Sequence, residues 1–389
     1  MLLFDKNAQV RSFYIHWPFC PYRCHFCPFV ALASHDEFME DYHQALLKEI
    51  DQYLAIWNKS SLDTIYFGGG TPSTYPKHLL LDTFGRLKKN HLISTDTEIT
   101  IEVNPGTVDK DKLLLWKELG INRLSIGVQS LNSEVLHSLN RLQSTNDVLY
   151  LLEEGSKFFD NLSIDLILGL PNITIEEWKK LIETVVKWPI KHLSTYFLTV
   201  HENTRLYFGV KQKQIILPND DEIVELYLWT IKYLAKHGFR QYETSSFAKP
   251  GFECRHNQMY WSHKPYKAFG LGACSFDGVS RFQNEKNLMQ YLEKVNNNSD
   301  LSTFSEELNQ QQLHLEKLML GMRQMDKGVS IDDLTKNLSE DNIEKLWSYI
   351  HSLRRRGIIR VANNSIFLTT RGLSVENEIV VNLSNFSNS

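Results

Sequence analysis

The 389 residues carry ordinary apolar (42%) and charged (23%) fractions and a formal charge of −4, enough chain for a large core in two or so domains and no overall pull toward nucleic acid. The opening residues lack the apolar core of a signal peptide, and no later stretch of ~18 apolar residues would span a bilayer. Five cysteines, an odd number with three crowded together, fit a reducing compartment, so the expectation is a cytoplasmic protein with no integral membrane segment.

Apolar, β-branched runs recur at 12–17, 62–70, 98–105, 123–130, 162–171 and 192–200, and segments of helical period fill gaps at 37–57, 110–119 and 175–186. This alternation predicts α/β architecture, six parallel β/α units forming a partial barrel. Glycines 68–70, Glu102, Gln129 and Asp165 fall in or just after the strands, on the edge where α/β folds bind ligands. The polar run "VNNNSDLST", 295–303, predicts a linker. Beyond residue 306 the period is helical, then two short β-like runs flank Asn363-Asn364, residues that accept the positive φ of a tight hairpin. The expected division is a barrel over 1–245, a connecting segment over 246–304, and a helical, winged-helix-like domain over 305–389. In an acidic chain such a wing reads as a substrate lid or partner surface rather than a DNA reader.

Chemistry concentrates in "CPYRCHFC", where Cys20, Cys24 and Cys27 have the spacing C-x3-C-x2-C. Structural zinc and ferredoxin clusters use four protein ligands, so three thiolates suggest a cluster with one coordination position open. Two other readings stand beside it: a zinc site completed by His16 or His25, and three buried or disulfide-linked thiols. "FGGGTP" follows a strand, and its glycines let backbone amides approach a ligand. Glu102, Gln129, Arg141 and Asp165 add carboxylates suited to an ammonium or ribose and an arginine fork suited to a carboxylate.

The cysteine spacing resembles that of the radical SAM superfamily. The resemblance implies a 4Fe-4S cluster on Cys20, Cys24 and Cys27, S-adenosylmethionine (SAM) on the fourth iron, an electron donor, and reductive cleavage to a 5'-deoxyadenosyl radical. "FGGGTP" resembles the segment that binds the methionyl amino group, which implies Gly69, Gly70 and Thr71 as SAM contacts. Tyr14, Phe26, Glu102, Gln129, Arg141 and Asp165, in order and local sequence, resemble the coproporphyrinogen dehydrogenase (HemN) branch across essentially the whole chain, which implies SAM contacts for them too. Within that branch "HNQMYW" resembles a segment typical of the HemW heme chaperones, at His256, Asn257, Tyr260 and Trp261. It implies heme binding and delivery of heme to a client hemoprotein; the His256 imidazole then reads either as an axial iron ligand with Tyr260 and Trp261 against the porphyrin, or as a satisfied polar residue beside two core aromatics. Phe29 stands where the dehydrogenases carry a further cysteine. The chain departs from the chaperones at Pro28, at "NRLQ", and at Cys274, which replaces a histidine. The rival functions are coproporphyrinogen III oxidative decarboxylation, radical methyl transfer, and a non-catalytic heme or cluster binding module.

Overall fold

The computed structural model describes residues 4–5, 7–57, 60–336 and 338–386. The chain first runs β1 (Ser12–Trp17), α1 (Met39–Ile56), β2 (Thr64–Gly69), α2 (Lys77–Lys89), β3 (Glu98–Val103), α3 (Lys110–Leu119), β4 (Arg123–Gln129), α4 (Thr145–Gly155), β5 (Asn161–Leu168), α5 (Ile175–Val185) and β6 (His192–Phe197). Consecutive strands pair in parallel, so the six expected β/α units are present in sequential order. Helix starts follow local chemistry: α4 and α5 carry capping boxes from Ser144 and Asp147 and from Thr174 and Glu177.

The strand pleat sorts two faces. Phe13, Ile15, Ile65, Phe67, Ile99, Ile101, Leu124, Ile126 and Ile164 are buried in one apolar core. The alternate positions are polar: Thr64 and Tyr66 on β2, Thr100 and Glu102 on β3, Arg123 and Ser125 on β4, Ser163 and Asp165 on β5, His192 and Ser194 on β6. Because side chains alternate with a period of two, one face packs hydrophobically and the other presents a polar lining.

After α6 (Asp220–Lys236) come β7 (Arg240–Gln241), β8 (Ser246–Ala248), α7 (Arg255–Trp261) and β9 (Lys267–Phe269). These short strands extend the sheet at both ends, β9 parallel to β1 and β8 antiparallel to β6. Next are β10 (Cys274–Phe276), β11 (Ser280–Asn284), α8 (Leu288–Asn296) and β12 (Ser302–Glu307), the three strands forming an antiparallel sheet. The stretch 295–303 is therefore not a free linker: its ends belong to α8 and β12, leaving a short turn between them.

The C-terminal unit holds α9 (Gln310–Met322), β13 (Val329–Ser330), α10 (Glu340–Arg355), β14 (Ile359–Ala362), β15 (Ser365–Leu368) and α11 (Glu376–Asn385). Asn363 and Asn364, at φ 48° and 57°, turn β14 into β15 as the hairpin signal requires. Leu318, Met322, Ile350, Ile366 and Ile379 anchor a second core. Among the described residues no helix is long and apolar enough to cross a membrane.

Candidate functional site

The cysteine loop leaves β1 and closes on itself. Phe19 and Cys20 pair in parallel with Leu32 and Ala33, and the Arg23 guanidinium donates to the carbonyls of Ala31 (2.7 Å) and Phe29 (3.2 Å). Asn140, in the left-handed region, donates its amide to Arg23 O at 2.8 Å and ties the loop to the segment leading to Arg141.

The glycine run makes this packing possible. A side chain at Gly68 would strike Tyr14, one at Gly69 the His16 ring, and one at Gly70 the Pro18 carbonyl oxygen 2.4 Å from its Cβ. The space beside each glycine is thus filled by the protein's own loop and first strand, while Gly69 and Gly70 still border the cavity.

That cavity, of about 420 Å³, lies at the C-terminal strand edge and gathers Cys20, Cys24, Cys27, Phe26, Gly69, Gly70, Thr71, Glu102, Gln129, Arg141 and Asp165. Tyr14 stands outside it, in an adjoining cavity of about 240 Å³ that shares Phe29, Tyr66, Gly69 and Glu102 with the first. The Thr71 hydroxyl donates to Cys20 Sγ at 3.3 Å. Arg141 donates to Gly127 O (2.6 Å) and Gln143 Oε1 (2.7 Å), with Nη1 3.8 Å from Cys24 Sγ. A bulge after Gly127 and the left-handed φ of Gln129 turn that side chain into the same space.

Glu102 takes the Tyr66 hydroxyl on Oε1 (3.0 Å) and the Gly69 N–H on Oε2 (3.1 Å). Burial pushes its pKa up to about 7. Asp165 accepts from the Ser125 hydroxyl at 3.1 Å and is likewise raised by burial. Burial also pushes Cys20 up to about 11 and raises Cys27, and the charge of the neighbouring thiols adds to both. Three free sulfurs bordering one cavity are the donor chemistry an iron–sulfur cluster takes, while among the described residues no three His, Cys, Asp or Glu groups are placed to share one metal ion. The zinc reading is disfavoured by that absence, and each candidate histidine has both ring nitrogens engaged, His16 with Val30 O (2.9 Å) and the Tyr14 hydroxyl (3.1 Å), His25 with Ser138 O (3.0 Å) and Arg205 Nη1 (3.3 Å).

His256 is placed differently. It is buried, and both ring nitrogens are engaged, Nδ1 with the Thr64 hydroxyl (2.7 Å) and Nε2 with the Tyr260 hydroxyl (2.9 Å). Iron ligation would require one of these bonds to break. Cys274 is instead exposed, in a third cavity with Tyr14, Phe29, Tyr260, Tyr266 and Lys286. Trp261 is half-buried beneath Arg323 of the C-terminal unit. Sequence reasoning missed Tyr66, Ser125 and Tyr196, which line the main cavity from the polar strand face. Their signal was the alternation itself.

Residues 14–185 match the family model described as the Radical SAM superfamily, the class that this sheet and its three-cysteine loop define. The chain is 30% identical over 372 residues to the heme chaperone HemW of Bacillus subtilis, covering 95% of this chain and 98% of that one. It is 35% identical over 264 residues to the heme chaperone HemW of Escherichia coli, covering 67% and 69% of the two chains. The chain belongs to the HemW family of radical SAM proteins. In fold it is similar to the Escherichia coli coproporphyrinogen III oxidase HemN, with a TM-score of 0.83, 23% identity and coverage of 99% and 92%.

Proposed function

We propose that this protein is a radical SAM heme chaperone: it holds a 4Fe-4S cluster on Cys20, Cys24 and Cys27, binds SAM, and passes heme to a client hemoprotein. The observation that carries the reading is the near end-to-end relation to a protein named a heme chaperone, together with the gathering of the three thiols and the SAM-type residues around one cavity. Bound there, the cluster and SAM would supply one-electron reductive chemistry. The chain's own part is placement. Thr71 donates to the Cys20 sulfur, Glu102 offers a carboxylate to an ammonium, and Arg141 suits the methionyl carboxylate. Gln129 and Asp165, on neighbouring strands of the same cavity, suit the ribose hydroxyls.

The second reading is the dehydrogenase. Phe29 disfavours it: in place of a further sulfur the loop presents a ring that is 64% exposed. Reconstituted under anaerobic conditions, the protein should carry about four irons and four sulfides, and lose most of them on replacing any of the three cysteines with Ala. It should also bind heme, and should release no carbon dioxide from coproporphyrinogen III with SAM and a reductant. SAM-dependent decarboxylation reverses the assignment, and a methylated porphyrin favours the methyltransferase rival. Comparing heme spectra of His256→Ala and Cys274→Ala locates the iron ligand.

A further inference from the structure

The segment "HNQMYW" forms α7, which lies between the sheet and the C-terminal unit. Its N-terminus is fixed by Glu98, whose carboxylate accepts the N–H groups of Arg255 (3.1 Å) and His256 (3.0 Å). Its far end is held by Gln324, which donates to Trp261 O at 2.9 Å. The Thr64 hydroxyl donates to Ser12 at 2.9 Å and so accepts from His256 Nδ1–H, leaving Nε2 to accept from Tyr260. The imidazole is a neutral, fully occupied wedge.

What the ring faces is Tyr66. The two stack with centroids 5.0 Å apart and planes at 28°, and Tyr66 also stacks on Tyr14 at 6.1 Å and 16°. The Tyr66 hydroxyl is one of the two donors that hold Glu102. We propose that His256 is a positioning residue for the SAM site: it fixes the Tyr66 ring, and through it the Glu102 carboxylate. This rests on the assignment of the main cavity to SAM. It gives the histidine of the chaperone-type segment a role toward SAM rather than toward heme iron.

The test is a double-mutant cycle in the full-length, reconstituted protein, with His256→Ala, Tyr66→Phe and the two combined, read by anaerobic SAM calorimetry, iron content and the heme Soret band. Loss of one buried hydrogen bond to a charged group predicts a weakening of about 10-fold or more for Tyr66→Phe, with a comparable loss for His256→Ala. If His256 works through Tyr66, the double variant binds SAM no worse than the weaker single variant, whereas independent roles would multiply. Iron content and the Soret band should stay at wild-type values. His256→Gln, which retains an acceptor for Tyr260, should recover part of the affinity. Unchanged SAM binding by His256→Ala, multiplicative losses, or SAM loss that merely tracks lost iron in both His256 variants overturns the positioning role. Failure of the wild-type protein itself to bind SAM overturns the site assignment instead.

Discussion

Replacing Glu102 with Gln removes one charge from the cavity at nearly constant volume. Burial, with the nearby Asp165 charge, lifts the carboxyl to about 7 against the Tyr66 and Gly69 hydrogen bonds and Arg123. The ammonium and sulfonium of SAM favour the ionised carboxylate, so binding must release a proton wherever the free protein still holds one. Well above pH 7 no such cost exists; at pH 7 half the sites are protonated and apparent affinity falls about twofold, and at pH 6 about tenfold. At high pH the lost charge-assisted contact is worth about 1.5–3 kcal/mol, an affinity loss of about 10- to 150-fold for Glu102→Gln. Anaerobic calorimetry at pH 6, 7 and 8.5 and constant ionic strength separates the two effects. Wild type should tighten with pH, Glu102→Gln should be weak and nearly flat, and Asp165→Asn, which removes a charge that helps raise Glu102, should keep a pH dependence displaced to lower pH. A wild-type affinity that does not change with pH, or a Gln variant that keeps the wild-type slope, refutes the argument.

Gly70→Ala drives a methyl against the backbone carbonyl of Pro18, which cannot rotate away, so the cysteine loop must shift; stability should fall by about 1–3 kcal/mol in a urea titration and reconstituted iron should fall with it. Lys267→Met leaves Glu49 buried without its cation, a pair 3.9 Å apart, and should cost about 3–5 kcal/mol; adding Glu49→Gln should recover only part of it, because the amide sets an N–H among the donors of Gly270, Asn284 and Tyr291 that the carboxylate accepts.

The six parallel strands were legible because each is a run of five or more residues bounded by turn chemistry. β7, β8 and β9 were not, since strands of two or three residues give no period to read. The linker reading of 295–303 failed for a related reason: local polarity signals a turn but not whether the flanking residues find sheet partners, and β12 pairs with β11. The cysteines and the glycine run announced the cavity through spacing. The actual work of the glycines did not show in the sequence, because Pro18, His16 and Tyr14 approach them only across the β1–β2 pairing. His256 was similarly opaque. Its partner Thr64 lies 192 positions away, and no local pattern says which face of a short helix meets which strand.

The pairing of Phe13 with Lys267 has a consequence in time. As the chain is synthesised, β1 meets β2 early, but its other edge has no partner until residues 267–269 exist, and the buried Glu49 waits for Lys267 just as long. Sealing that edge is a contact of very high sequence separation and therefore a late, slow event in folding. Until then the strand that feeds the cysteine loop stays exposed on one side, and the interval between the two pairings is one in which an unpaired strand edge is open to aggregation.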